Sequence, residues 1–110
     1  METKTISLHG VFPPIPTPFD ERGDLALGAL TENLDRWNEY DLSGYVVLGS
    51  NGEGVYLTTE EKVKVWQTVR RAVPKEKLVI AGTGCESTRQ TIAVSQLAAG
   101  AGADIVLVLT

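Results

Sequence analysis

The sequence is poor in the residues that build the commonest metal and redox sites. It has a single cysteine, Cys85, and a single histidine, His9. One cysteine excludes an intramolecular disulfide and a thiol-rich metal centre, and no cluster of His, Asp or Glu has metal-ligand spacing. No apolar run is long enough to cross a bilayer, so no membrane partner is expected. Positive charge is also scarce: ten Lys and Arg are scattered among fourteen Asp and Glu, for a net charge of −4. A phosphate-binding face needs clustered basic residues, so no nucleic-acid partner is expected either. The segment from Met1 to His9 lacks an apolar core and arginine and carries Glu2. It therefore reads neither as a secretory signal nor as a mitochondrial presequence, and a reducing cytoplasm is the expected location.

What is present is an apolar fraction of 43% in 110 residues, enough for one domain with a buried core. Three apolar runs, Gly44 to Leu48, Leu78 to Ala81 and Asp104 to Leu109, are continuous rather than alternating. That is the pattern of parallel strands covered on both faces. A fourth strand is expected from Gly10 to Pro16. Pro13, Pro14 and Pro16 lack ladder donors, so it should be short and centred on Val11 and Phe12.

Helical patterns lie between these runs. Leu27, Leu30, Leu34 and Trp37 form one stripe, with Glu32, Asp35, Arg36 and Glu39 elsewhere on that helix. Thr58-Thr59-Glu60-Glu61 predicts a capping box ahead of a stripe of Val63, Trp66, Val69 and Val73, which Pro74 stops. Ser87-Thr88-Arg89-Gln90 predicts a second box, for a helix ending at Gly100-Ala101-Gly102. Trp37 and Trp66 fall on apolar stripes, which assigns them to the core. The order is β-α-β-α-β-α-β, with strands starting about every 30 residues, the length of a βαβ unit. An open doubly wound sheet and half of a (β/α)₈ barrel share this pattern, and periodicity does not choose between them. The chain stops at Thr110, directly after an apolar strand, and a truncation is expected there.

In both architectures ligands sit at the carboxyl ends of the strands. After the Gly44 run comes Gly49-Ser50-Asn51-Gly52-Glu53-Gly54. Its small residues allow a sharp turn, successive amides can converge on one anion, and Ser50 and Asn51 add side-chain donors. It can cradle a carboxylate; the plain alternative is a Gly-rich βα turn. Glu53 could serve as a base or brace the loop. Gly82-Thr83-Gly84-Cys85-Glu86-Ser87 begins like a dinucleotide fingerprint. Ser87, however, replaces the third glycine, and no acidic residue closes the next strand. Cys85 has no histidine beside it, since His9 precedes the first strand, and reads as a small buried thiol. Ser50 and Asn51 are expected on the same rim as Thr17 and Gly84.

A Schiff-base lysine must be desolvated among apolar neighbours. Lys4 lies in the N-terminal tail, Lys62 and Lys64 on a helix, and Lys75 and Lys77 in the loop before the Leu78 strand. None is within or at the carboxyl end of a strand, so no good amine nucleophile is expected here.

Taken in order, Pro16-Thr17-Pro18-Phe19, Gly49-Ser50-Asn51-Gly52-Glu53, and Gly82-Thr83-Gly84 with Ser87-Thr88 resemble the dihydrodipicolinate synthase/N-acetylneuraminate lyase family, from about Gly10 to Thr110. The resemblance implies an α/β fold: the N-terminal half of a (β/α)₈ TIM barrel, with four parallel strands and three helices, truncated after the fourth strand. Residues 1–110 are then one partial aldolase domain.

The family's activity is that of a class I lyase or aldolase, forming or cleaving a C–C bond of a 2-oxo acid. A lysine on the sixth barrel strand forms a Schiff base with pyruvate, and a tyrosine on the fifth shuttles protons. Both lie beyond Thr110, so the fragment itself is expected to be inactive. Carried over, Ser50 matches the proton-relay hydroxyl, and Ser50 with Asn51 binds the substrate carboxylate. No cofactor and no metal is implied; a homo-oligomer, a tetramer in the family, is implied for the full-length protein.

Ser50-Asn51, Phe12-Pro13-Pro14 and Gly84-Cys85-Glu86-Ser87-Thr88 look most like the 4-hydroxy-2-oxoglutarate aldolase branch, which yields pyruvate and glyoxylate. Lysine-pathway synthases usually carry two threonines at the Ser50-Asn51 position and sialic acid lyases Ser-Thr, whereas sugar-acid (2-keto-3-deoxy) aldolases share Ser-Asn. 4-Hydroxy-tetrahydrodipicolinate synthase and the sugar-acid aldolases remain alternatives. From a different class, the alternative is a small non-enzymatic open-sheet α/β binding module, and a reading frame continuing past Thr110 into a lysine-bearing strand would decide against it.

Overall fold

The computed structural model describes residues 5–109. Its elements are α1 (Leu27–Trp37), β1 (Gly44–Val47), α2 (Thr59–Ala72), β2 (Leu78–Gly82), α3 (Thr88–Gly100) and β3 (Ile105–Leu107). Two single-turn 3₁₀ segments, Ser50–Gly52 and Gly54–Tyr56, follow β1. The sheet order is β1-β2-β3. Every pairing is parallel, with Gly44 opposite Leu78 and Ile80 opposite Ile105.

The expected fourth strand is not confirmed. Among the described residues the sheet has three strands, and the segment around Pro14 contributes one parallel bridge, Pro14 to Val46. Ser43 N donates to Val11 O (2.9 Å), Val46 N to Pro13 O (2.9 Å) and Ile15 N to Val46 O (3.0 Å). The segment therefore runs beside β1 mainly as an acceptor. Pro13, Pro14 and Pro16 have no N–H to continue a ladder, and the bridge falls at Pro14 rather than at Val11–Phe12. β3 is also shorter than the apolar run predicts. Asp104, the first residue of that run, lies outside β3 and turns its carboxylate to Val79 N (2.9 Å). Past Leu107, β2 has ended at Gly82 and offers no partner.

The helices form where their signals lie. Thr58 Oγ1 accepts from Glu61 N and Glu61 Oε1 accepts from Thr58 N, the complete capping box of α2. At α3 one arm is present, Gln90 N donating to Ser87 Oγ at 3.0 Å. After α3, Gly102 takes φ +108°, as a helix-ending glycine does.

The core joins Leu30 and Leu34 of α1, Tyr45 and Val47 of β1, Val65, Trp66 and Val69 of α2, Val79 and Ala81 of β2, and Val94 and Ala98 of α3. Trp66 is fully buried and its Nε1 has no acceptor among the described residues. Trp37 is half-buried and tilts against Tyr45, with ring centroids 6.3 Å apart. Both tryptophans thus serve packing. β2 is the central strand, buried from Leu78 to Ala81, whereas Val106 and Leu107 of edge strand β3 are exposed.

The amino-terminal ends of the strands are tied by polar groups. Arg70 pairs with Asp104 (2.9 Å) and also donates to the carbonyls of Val73, Pro74 and Lys77. Lys77 Nζ donates to Asn38 O and Tyr40 O at the end of α1, both at 3.0 Å. Tyr45 Oη donates to Asn38 Oδ1 (2.7 Å), and Asn38 Nδ2 to Ala72 O (2.8 Å).

Candidate active site

At the carboxyl end of β1 the chain reverses on Leu48, which adopts φ +60° while almost fully buried. A left-handed conformation costs a non-glycine residue about 1–2 kcal/mol, so something must hold it. The neighbouring glycines do. A Cβ on Gly82 would stand 2.3 Å from Leu48 O, and one on Gly54 would stand 2.6 Å from the same oxygen. The Leu48 carbonyl occupies the space those two missing side chains leave.

The chain then enters the Ser50–Gly52 turn. Gly52 N donates to Gly49 O and Glu53 N to Ser50 O, both at 3.1 Å. Glu53 closes the turn with φ +56° and is exposed. Its backbone N–H, given to Ser50 O, closes the turn. Ser50 and Asn51 are exposed on this turn. From across the site, buried Thr17 donates its hydroxyl to Gly52 O at 2.7 Å.

The loop after β2 lies alongside. Thr83 is buried, and its hydroxyl shares a 2.8 Å hydrogen bond with Ser95 of α3. Cys85 N donates to Thr91 Oγ1 at 3.0 Å, and the half-buried Cys85 Sγ donates to Thr83 O. The cysteine is therefore engaged in shaping this loop.

A cavity of about 270 Å³ opens between the two loops, walled by Gly49, Ser50, Tyr56, Gly82, Gly84 and Leu109, among others. Ser50 and Gly84 thus share one rim, as the strand ends predict, and Thr17 joins it through Gly52. Asn51 sits next in the turn but is not a wall of this cavity.

Lys62 also borders it, from the first turn of α2. The sequence pattern puts Lys62 on a helix without assigning it to a site, and the structure adds its place at the cavity. The signal was available, because the helix following a parallel strand starts at the strand's carboxyl rim. Lys4 lies outside the described residues.

A larger depression, about 510 Å³, lies at the opposite end, between Thr5–His9 and Lys75–Leu78. His9 is exposed there, and the site's Lys77 is already committed to the carbonyls of Asn38 and Tyr40, just past α1. Among the described residues no group of three or more His, Cys, Asp or Glu could hold a metal, and no helix is long and apolar enough to cross a membrane.

Residues 7–110 match the model of the Dihydrodipicolinate synthetase family. A 4-hydroxy-tetrahydrodipicolinate synthase of Haloarcula marismortui is 35% identical over 105 residues, 96% of this chain and 34% of that protein. The crystal structure of a dihydrodipicolinate synthase from Bacillus anthracis superposes with a TM-score of 0.86 at 32% identity, covering 92% of this chain and 35% of that one. YagE, a prophage protein of the dihydrodipicolinic acid synthase family from E. coli K12, solved in complex with pyruvate, gives 0.85 at 33% identity, covering 93% and 35%. The chain therefore spans about a third of the length of the relatives it matches. With the family match running over nearly every residue and the two glycine-bearing loops meeting on one rim, the chain belongs to the dihydrodipicolinate synthetase family of lyases.

Proposed function

We propose that the full-length protein carrying this sequence is a class I aldolase that cleaves or forms a C–C bond of a 2-oxo acid through a lysine Schiff base, and that 4-hydroxy-2-oxoglutarate is its substrate. The observation that carries this reading is the exposed Ser50-Asn51 pair on a turn at the carboxyl end of β1, with Ser50 lining the same cavity as Gly82 and Gly84. YagE, of the same family, was solved with pyruvate, which supports a 2-oxo acid as ligand.

The chemistry runs as follows. A lysine outside this chain attacks the C2 carbonyl, water leaves, and an iminium forms. The 4-hydroxyl gives up its proton, the C3–C4 bond breaks, and its electrons move into the iminium to give an enamine and glyoxylate. The enamine takes a proton at C3, and hydrolysis returns lysine and pyruvate. Asn51 and the backbone of the turn hold the carboxylate beside C2, and the Ser50 hydroxyl passes the proton. A second reading, 4-hydroxy-tetrahydrodipicolinate synthase, is favoured by the name of the Haloarcula relative. In that case the enamine attacks an aldehyde instead of forming by cleavage.

Steady-state assays of the full-length protein separate the two. Release of pyruvate from 4-hydroxy-2-oxoglutarate is expected. Condensation of pyruvate with aspartate semialdehyde, without that cleavage, would assign the second reading. A charge-assisted hydrogen bond contributes about 1.5–3 kcal/mol, so Asn51→Ala should lower kcat/KM about ten- to a hundredfold. Asn51→Asp should be worse, because it sets an anion against the carboxylate at nearly constant shape. Ser50→Ala should lower kcat with little change in KM. Wild-type kinetics for Asn51→Asp would mean that the loop is only a turn.

A further inference from the structure

Among the described residues three buried threonines have hydroxyls to satisfy. Thr68 bonds Lys64 O within its own helix, and Thr83 bonds Ser95. Thr17 reaches across 35 positions of sequence to the carbonyl of Gly52, the residue after Asn51. On the Thr17 side the chain is fixed at two points. Ile15 N donates to Val46 O on β1, and Pro18 O accepts from Ala26 N just ahead of α1, both at 3.0 Å. On the other side is a single 3₁₀ turn, bounded by the left-handed residues Leu48 and Glu53. Such a turn has poor hydrogen-bond geometry of its own, and its two flanking residues favour relaxation. A Cβ on Gly52 would stand 3.1 Å from Ile15 O and 3.3 Å from Thr17 Oγ1, so the turn and the Ile15–Thr17 segment are in close contact.

From this arrangement we infer that Thr17 is a positioning residue: its hydroxyl sets where Asn51 stands, and through Asn51 how the substrate carboxylate is held. The inference rests on the carboxylate-binding reading of the Ser50-Asn51 turn. Thr17 touches neither substrate nor the reacting atoms in this account. It acts on binding of the 2-oxo acid and not on proton transfer.

The test uses the full-length protein with Thr17→Val, which keeps shape and loses the donor, and Thr17→Ser, which keeps the donor. Thr17→Ala serves as a second donor-free variant should valine not accumulate. Each is made alone and with Asn51→Ala. Losing one buried hydrogen bond should raise KM for the 2-oxo acid about five- to tenfold while kcat stays within about threefold. Thr17→Ser should restore KM to within about twofold of wild type. Because Thr17 acts through the turn, its loss should add less than about twofold to Asn51→Ala, whereas independent effects would multiply. Wild-type KM in the donor-free variants, or losses that multiply with Asn51→Ala, would overturn the positioning role while leaving the carboxylate site standing. Wild-type kinetics for Asn51→Ala itself would remove the site, and the role of Thr17 with it.

Discussion

Replacing Gly82 by alanine tests the clamp on Leu48 directly. The new Cβ would meet three backbone atoms: Leu48 O at 2.3 Å, Leu48 C at 2.8 Å and Gly49 N at 3.1 Å. Ordinary contact begins at 3.4 Å, so the carbonyl must retreat by about 1 Å, and no flexible side chain is available to yield instead. Forcing a methyl into such a site costs about 1–3 kcal/mol. Restricting the unfolded chain returns about 0.4–1 kcal/mol, since no left-handed φ at Gly82 stands against alanine. The net loss lies between about 0 and 2.6 kcal/mol, with a midpoint of about 1.3, which is about 3–5 °C in Tm at about 2–4 °C per kcal/mol.

The functional cost should be larger than the stability cost. Gly49 is the residue before Ser50, so the displacement passes into the turn, and misplacing a reacting group by about 1 Å can cost about a hundredfold in rate. Gly28→Ala is the matched control. Its Cβ would meet nothing within 4 Å, and an alanine in the first turn of α1 should stabilise by no more than about 0.5 kcal/mol with kinetics unchanged. Thermal unfolding and steady-state kinetics of both variants in the full-length protein provide the measurement. A Gly82→Ala protein with wild-type Tm and wild-type turnover would show that the Leu48 carbonyl moves freely, and the account of the turn would be wrong.

The remaining predictions concern the opposite rim. Burial raises the pKa of Tyr45 above its ordinary value of 10.0. Below pH 10 both folded and unfolded states keep the phenol proton. Above it the unfolded state ionises first, so stability should fall as pH rises through 10 and beyond. Tyr45→Phe should flatten that alkaline slope in pH-dependent unfolding while costing about 1 kcal/mol at neutral pH through the lost bond to Asn38; an unchanged slope would exclude Tyr45 as its source. Asp104→Ala removes the acceptor of both Arg70 and Val79 N and should cost about 2–3 kcal/mol by denaturant titration. Its kcat/KM at a temperature where the protein stays folded should match wild type, and a large kinetic loss there would contradict the division between a braced rim and the rim that carries the proposed site.

The three paired strands were legible because continuous apolar runs admit few other readings once glycine and proline punctuate them. The α2 box at Thr58 was legible because both of its partners lie within one turn of sequence. The segment at Pro14 was misread in extent, since its pairing depends on which donors β1 can use and not only on its own residues. The cavity face of Lys62 depended on where α2 begins in space. The Thr17–Gly52 bond and the left-handed Leu48 left no local signature. One joins residues 35 apart, and the other is imposed on a leucine by glycines that follow it by 6 and 34 positions.

These long-range features explain why the two ends of the sheet behave differently. At the amino-terminal rim, polar side chains are consumed: Arg70, Lys77, Asn38 and Asp104 each end on a backbone group or on one another. At the carboxyl rim, Thr17, Thr83 and Thr91 are spent on holding loops, and glycines admit the Leu48 carbonyl. Ser50 and Asn51 are left exposed on a backbone fixed from several sides. A binding site needs that combination, because a side chain already committed to the fold cannot meet a ligand, and one on an unfixed backbone meets it at an entropic cost. The expected sensitivity of this rim to Gly82→Ala and Thr17→Val, neither of which alters Ser50 or Asn51, follows from that division of labour.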